Sequence, residues 1–211
     1  MIRPGDITAL VLAGGRGSRM GGLDKGLQDF HGAPLAQHAL QRLRRQTGGW
    51  VGPLMVSANR HLAVYESLGV PVWPDADTDF AGPLAGVLSG LAHCDTPLLL
   101  TVPCDCPHFP LDLAQRLASA LDAHTDIAVA AAPEQPGGPC RPQPVFSLLR
   151  VSLRKDLGDF LDLGGRAIFQ WMARHRTVSV PFDRAGDDPQ AFANANTLEA
   201  LQALAASPPA S

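Results

Sequence analysis

The chain has 211 residues, 45% hydrophobic and 18% charged, with a formal charge of −3. That supports one domain with a buried core, excludes a disordered chain, and, with the bases spread along the sequence, disfavours non-specific nucleic-acid binding. Within those totals fifteen arginines accompany only two lysines, Lys25 and Lys155, and seventeen aspartates only three glutamates. A lysine is therefore informative here and an aspartate is not.

Apolar runs of strand length alternate with stretches of helical period, which is the sequence form of βαβ units around a largely parallel sheet. The expected class is α/β, three layers with a mostly parallel central sheet, in one domain over residues 1–211. A first strand spans Ile7 to Leu12, followed by a glycine-rich loop to about Gly32 and a helix from Pro34 to Arg45. Then come a strand Leu54 to Ser57, a short helix His61 to Leu68, a strand Val70 to Trp73, an acidic loop Asp75 to Asp79 and a helix Leu84 to Ala92. The run Pro97 to Val102 is the most apolar candidate strand and is expected at the centre, where both faces are covered.

The second half is less regular. A helix Leu111 to Leu121 precedes a strand Ile127 to Ala131, and Pro133 to Pro144, with five prolines and two glycines, reads as a loop. A strand near Val145 to Leu148 follows, then helical stretches Arg150 to Leu161 and Ala167 to Arg174, a strand Val178 to Phe182, and a last helix from Thr197. No run reaches the roughly 18 apolar residues of a membrane span, and Ile7 to Ala13 makes a poor signal peptide. Cys94, Cys104, Cys106 and Cys140 read as reduced thiols, so the cytoplasm is the expected compartment.

In an open parallel sheet, ligands bind at the carboxyl ends of the strands, which directs attention to four loops. The first, Leu12-Ala13-Gly14-Gly15 through Arg19 to Lys25, combines glycines that let backbone N–H groups approach an anion with cations suited to phosphate. It is neither a Walker A loop, since Gly26 follows Lys25, nor a dinucleotide fingerprint, since Met20 stands where the third glycine belongs. The competing reading is a glycine-rich turn with solvated arginines. The second loop offers Asn59, by itself the kind of residue that forms a turn, and the third Asp75, with Asp77 and Asp79 reading as a solvated acidic loop. The fourth, Pro103-Cys104-Asp105-Cys106-Pro107-His108, places a carboxylate after the central strand, suited to Mg²⁺ that also binds nucleotide phosphates. Zinc held by Cys104, Cys106 and His108 is the alternative, weakened by the tight C-x-C spacing and the missing second pair.

Taken in order, Leu12-Ala13-Gly14-Gly15, Arg19-Met20-Gly21, Lys25, Ala58-Asn59-Arg60, Asp75, Gly82-Pro83-Leu84-Ala85-Gly86, Pro103-Cys104-Asp105 and Asn194-Ala195-Asn196-Thr197 resemble the molybdenum cofactor guanylyltransferases, over about residues 6 to 205. The resemblance implies a Rossmann-like nucleotidyltransferase fold and transfer of GMP from GTP to the phosphate of molybdenum-molybdopterin, with release of pyrophosphate. It places Leu12, Ala13, Gly14, Gly15, Lys25, Asn59, Asp75 and Asp105 on nucleotide-contacting positions and Mg²⁺ on Asp105. Gly14 matches the GTP-using Leu-Ala-Gly-Gly opening, against Leu-Ala-Ala-Gly in the sister cytidylyltransferases. Asn194 and Asn196 fall on positions linked with the acceptor, although Asn196 and Glu199 also have the spacing of a helix-capping pair.

On that reading the N-terminal half binds nucleotide and the C-terminal half the acceptor, and Arg19, Lys25 and Asp105 serve catalysis by neutralising charge, an acceptor phosphate needing no protein nucleophile. Partners would be the two substrates, with transient contacts to molybdenum-insertion and cofactor-delivery proteins. Arg141, in the proline-rich stretch, could meet the acceptor phosphate or be a solvated charge. The alternatives are a CTP-dependent nucleotidyltransferase of the same fold, acting on molybdopterin or on a sugar or polyol phosphate, and a non-catalytic carrier of nucleotide or cofactor.

Overall fold

The computed structural model describes residues 2–14, 24–75, 82–135, 137–195 and 199–202. Its frame is a seven-stranded sheet of β1 (Ile7–Leu12), β4 (Val51–Ser57), β5 (Val72–Trp73), β6 (Leu98–Pro103), β7 (Ile127–Pro133), β8 (Cys140–Arg150) and β9 (Thr177–Pro181), in the order β5-β4-β1-β6-β8-β7-β9. β2 (Asp29–Phe30) and β3 (Ala33–Pro34) form a separate small hairpin. The helices are α1 (Leu35–Arg44), α2 (Leu62–Glu66), α3 (Pro83–Ala92), α4 (Leu113–Ala120), α5 (Arg154–Asp162) and α6 (Ile168–Met172).

β1 and β6 are central because their residues are apolar on both faces. Ala9 and Val11 join Leu98, Leu100 and Val102 in a core shared with α1 and α4, whereas Leu10 and Leu99 point the other way, among residues of α3, α5 and α6. Three layers result. On the second face, Gly86 and Gly90 bring α3 directly onto β1. A Cβ at Gly90 would come within 2.5 Å of Leu10, and one at Gly86 within 2.7 Å of Leu12.

β1 pairs in parallel with both β4 and β6, β4 with β5, and β7 with β9, while β8 runs antiparallel to both β6 and β7. Every strand of the large sheet except β8 therefore runs the same way. The chain steps outward from β1 to β4 and β5, then returns to β6 on the other side of β1. That reversal makes the β1/β6 boundary the place where the loops at the carboxyl edge diverge and a ligand can enter.

Three expectations are corrected. The stretch Pro133 to Pro144 is largely strand: Ala131, Ala132 and Pro133 pair with Pro142, Arg141 and Cys140. Within β8, β6 pairs with Ser147 to Arg150, so among the described residues this upper part has β7 as its one neighbour in the ladder, and proline is tolerated where no partner needs its N–H. A bulge separates the two halves of the ladder, with Ala130 between the pairs Val129–Ser147 and Ala131–Pro142. The glycine-rich loop contains the β2–β3 hairpin, turned by His31 and Gly32 at φ 50° and 83°, the two positive values a type I′ turn requires. β4 begins at Val51, ahead of Leu54, despite Gly52 and Pro53. The expected helix start at Thr197 lies outside the described residues, while 199–202 are helical.

Candidate active site

Register brings the candidate loops to one edge. Leu12 lies opposite Ser57 of β4 and Pro103 of β6, and Ser57 lies opposite Trp73 of β5. The ladder continues one step beyond the strands: the Ala13 N–H donates to the Ser57 carbonyl at 2.8 Å, that of Ala58 to Trp73 at 3.2 Å, and that of Cys104 to Leu12 at 3.1 Å. Gly14, Asn59, Asp75 and Asp105 thus leave the sheet side by side, from four strands.

On the β4/β5 side, Asn59 and Asp75 bind each other reciprocally. The Asn59 Nδ2 donates to Asp75 Oδ2 at 2.8 Å, and the Asp75 N–H donates to Asn59 Oδ1 at 2.9 Å. Ser57 Oγ adds a longer contact to Asp75 Oδ1. Burial pushes the Asp75 carboxyl above its ordinary value, opposed by those hydrogen bonds from Asn59 and Ser57. Gly14 packs against the same amide: a Cβ there would approach Asn59 Nδ2 to 3.0 Å. A glycine leaves that space to the amide and keeps the backbone of the first loop close to it.

Across the β1/β6 boundary, the Lys25 ammonium lies 3.4 Å from Asp105 Oδ2, with the two side chains 22% and 15% exposed. Eighty residues of sequence separate them; the fold alone makes them an ion pair. Lys25 opens a 3₁₀ turn, Lys25–Leu27, preceded by Asp24. The Asp24 carboxylate is buried and accepts from the Tyr65 hydroxyl at 2.6 Å. Tyr65, on α2, is fully buried, and burial together with the Asp24 hydrogen bond holds its phenol protonated far beyond the normal range.

Beyond Asp105, the chain meets residues from its far end. The Ala195 N–H donates to the Asp105 carbonyl at 2.8 Å, and the Cys106 thiol donates to Asn194 Oδ1. Asn194 is thereby fixed beside the Asp105 loop. Cys104 and Cys106 are buried, and burial pushes their thiols up. Among the described residues, no three His, Cys, Asp or Glu side chains are grouped to hold a metal ion. All four cysteines are free, and no described helix is long and apolar enough to cross a membrane.

Of the residues expected in the site, Leu12, Ala13, Gly14, Lys25, Asn59, Asp75, Asp105 and Asn194 come together at this edge. Gly15, Arg19, Asp77, Asp79 and Asn196 lie outside the described residues. Arg141 is exposed, on the β7–β8 hairpin, and pairs at 3.6 Å with the equally exposed Glu134. Sequence reasoning missed Asp24, Tyr65 and the role of Cys106. Tyr65 is the only tyrosine of the chain, the one signal that could have singled it out.

The family model of the MobA-like NTP transferase domain matches residues 9–179. The molybdenum cofactor guanylyltransferase of Albidiferax ferrireducens is 59% identical over 212 residues, covering 99% of this chain and 100% of its own. That of an Acidovorax species is 60% identical over 209 residues, 97% of either chain. Among solved structures, molybdopterin-guanine dinucleotide biosynthesis protein A from Archaeoglobus fulgidus is similar in fold, with a TM-score of 0.72 at 20% identity over 93% of this chain and 95% of the other.

Proposed function

The chain belongs to the MobA-like NTP transferase family, together with the molybdenum cofactor guanylyltransferases, and from that membership we propose that it transfers GMP from GTP to the phosphate of molybdenum-molybdopterin. An acceptor phosphate oxygen forms a bond to the α-phosphorus of GTP as the bond from that phosphorus to the bridging oxygen of the β-phosphate breaks. Pyrophosphate leaves, and the product is the guanine dinucleotide form of the cofactor. The observation that carries this reading is the Lys25–Asp105 pair at the β1/β6 boundary, flanked by Gly14 and the Asn59–Asp75 pair.

The acceptor phosphate is ionised at neutral pH, so the chain has to position two anions and offset their charge; it needs no nucleophile of its own. Gly14 and its neighbours Leu12 and Ala13 bring backbone close to the nucleotide, and Asn59 and Asp75, locked to each other, present fixed polar groups beside it. Lys25 supplies positive charge at the transferring phosphate, joined in this reading by Arg19. Asn194, held by Cys106 against the Asp105 loop, faces the acceptor, with Asn196 assigned alongside it. In this division the N-terminal half of a single domain serves the nucleotide and the C-terminal half the acceptor. We place the reaction in the cytoplasm, where free thiols persist.

The family uses a divalent metal, and the donor set fits Mg²⁺. Mg²⁺ takes one or two carboxylates together with substrate phosphate oxygens and water, so a single carboxylate such as Asp105 suffices and a cluster of three is not required. When bound, the ion would neutralise phosphate charge and polarise the α-phosphate. Asp105 is the residue that would hold it.

The test is acceptor-dependent release of pyrophosphate from GTP, with CTP and ATP in parallel. GTP is expected to support turnover and, with Mg²⁺, to raise the Tm, as selective ligands do. Asp105→Ala is expected to lose at least about a hundredfold in kcat with little change in Tm, because the bond from Ala195 goes to the backbone of Asp105 and survives the substitution. Turnover with CTP in preference to GTP, or undiminished activity of Asp105→Ala at saturating Mg²⁺, would overturn the reading.

A further inference from the structure

We infer that Tyr65 is a positioning residue for guanylyl transfer: its hydroxyl, acting through Asp24, fixes the turn from which Lys25 reaches Asp105. The inference rests on the proposed role of Lys25 and adds to it the means by which that lysine is held.

Lysine is a flexible choice for a charge that must sit at one place. Its four-carbon stem gains precision from where its Cα is anchored. The anchor here is Asp24. Its carbonyl accepts the Leu27 N–H at 3.2 Å and the Gln28 side-chain amide at 3.0 Å, closing the turn around Lys25. Its carboxylate, buried with the residue 8% exposed, accepts the Tyr65 hydroxyl at 2.6 Å. A hydrogen bond to a buried carboxylate is among the stronger ones a protein makes, and a carboxylate left without it would seek water and move the turn.

Gly26 closes the arrangement. A Cβ there would stand 2.3 Å from the Tyr65 hydroxyl oxygen and 3.3 Å from the Cβ of Ala13, so the turn lies directly between the tyrosine and the first loop of the site. Tyr65 in turn is fully buried in the same core as Ala13, Ala58 and Cys104, which adjoin three of the site loops. One hydroxyl therefore refers the position of Lys25 to the frame that carries Gly14, Asn59 and Asp105.

The experiment is a double-mutant cycle on the full chain with GTP, Mg²⁺ and molybdenum-molybdopterin, measuring kcat, KM for GTP and Tm. Tyr65→Phe keeps the ring and removes the hydroxyl. It is expected to lower kcat by about tenfold or more, the scale of a small misplacement of a reacting group, with KM changed less than about twofold. In a Lys25→Ala background the same substitution is expected to change kcat by less than about twofold, while its effect on Tm persists. An equal loss of kcat in both backgrounds, or a Tyr65→Phe protein with wild-type kcat, would overturn the inference and leave the role of Lys25 standing. Wild-type activity of Lys25→Ala would instead remove that role and this inference with it. If Tyr65→Phe fails to fold, Asp24→Asn and Asp24→Ala decide the matter. The amide oxygen of Asn can still accept from Tyr65, so Asn is expected to retain more of the rate than Ala; equal rates in the two variants overturn the inference.

Discussion

Gly26→Ala offers a test of the packing around Lys25 that does not depend on activity. Gly26 has no unusual φ, so alanine suits its backbone and the whole effect comes from one added methyl group. That Cβ would be 2.3 Å from the Tyr65 oxygen, against 3.4 Å for ordinary contact, so the two must part by about 1 Å. Tyr65 is fully buried in the core, so moving it displaces packed neighbours. A shift of that size stretches its 2.6 Å bond to Asp24 beyond hydrogen-bonding range. Losing a bond to a charged group costs about 1.5–3 kcal/mol, and overpacking about 1–3 kcal/mol. Because one displacement underlies both, we expect a total of about 3 kcal/mol, or a Tm lowered by about 6–12 °C for a chain of this size. In the Tyr65→Phe background the offending oxygen is gone. The nearest remaining atoms, Cζ at 3.2 Å and the Cβ of Ala13 at 3.3 Å, need give only slightly, and the expected penalty falls below about 1 kcal/mol. Urea denaturation of the four proteins measures both penalties. Equal penalties in the two backgrounds would refute the reasoning.

Tyr65, as the only tyrosine, can also be followed directly. Its phenol is raised by burial and by the Asp24 bond, so no phenolate absorbance is expected from the folded chain at a pH where a free tyrosine, near pH 10, is half ionised. Below that pH both folded and unfolded chains keep the proton and stability is unaffected; above it the unfolded chain alone releases the proton, and stability falls by about 1.4 kcal/mol per pH unit. A phenolate signal appearing near pH 10 without unfolding would contradict the buried pair. Arg116→Ala is expected to cost about 3–5 kcal/mol in denaturant unfolding. Its buried guanidinium binds both oxygens of Asp187, at 2.9 and 3.0 Å, donates to the Pro181 carbonyl and lies 3.7 Å over the Phe182 ring. None of these partners belongs to the Lys25–Asp105 site, so kcat per folded molecule is expected to remain unchanged.

The legible parts of the sequence were those where local pattern and global packing agree. β1 spans Ile7 to Leu12 as expected and β6 differs from expectation by one residue at either end, because strands covered on both faces are mostly apolar. Prolines and glycines misled where their cost depends on neighbours invisible in the sequence. Pro142 and Pro144 lie in β8 beyond its pairing with β6, and Gly52 and Pro53 at the start of β4 fall where the β1 ladder is irregular. Asp105, Asn59 and Asp75 were identified from strand-end position and motif, but their grouping follows from the Leu12, Ser57 and Trp73 register, which no local signal encodes. In the sequence Asp24 means no more than a break in the Gly-Lys pair that a Walker A loop needs. Its meaning depends on Tyr65, forty-one positions away, whose spacing on α2 matches that of any buried aromatic.

The reversed direction of β8 has a consequence for how such a scaffold can diversify. A parallel strand in its place would need a crossover connection, anchored by packing along its whole length. An antiparallel one needs only a hairpin, here rising from Pro133 and Cys140 on the same rim as Asp105. Residues can be added to or removed from its tip while the rungs below hold their alignment, and doubling a loop costs only about 0.6 kcal/mol in closure entropy. The rim on that side can thus be refitted to a differently shaped molecule without disturbing the Lys25–Asp105 pair.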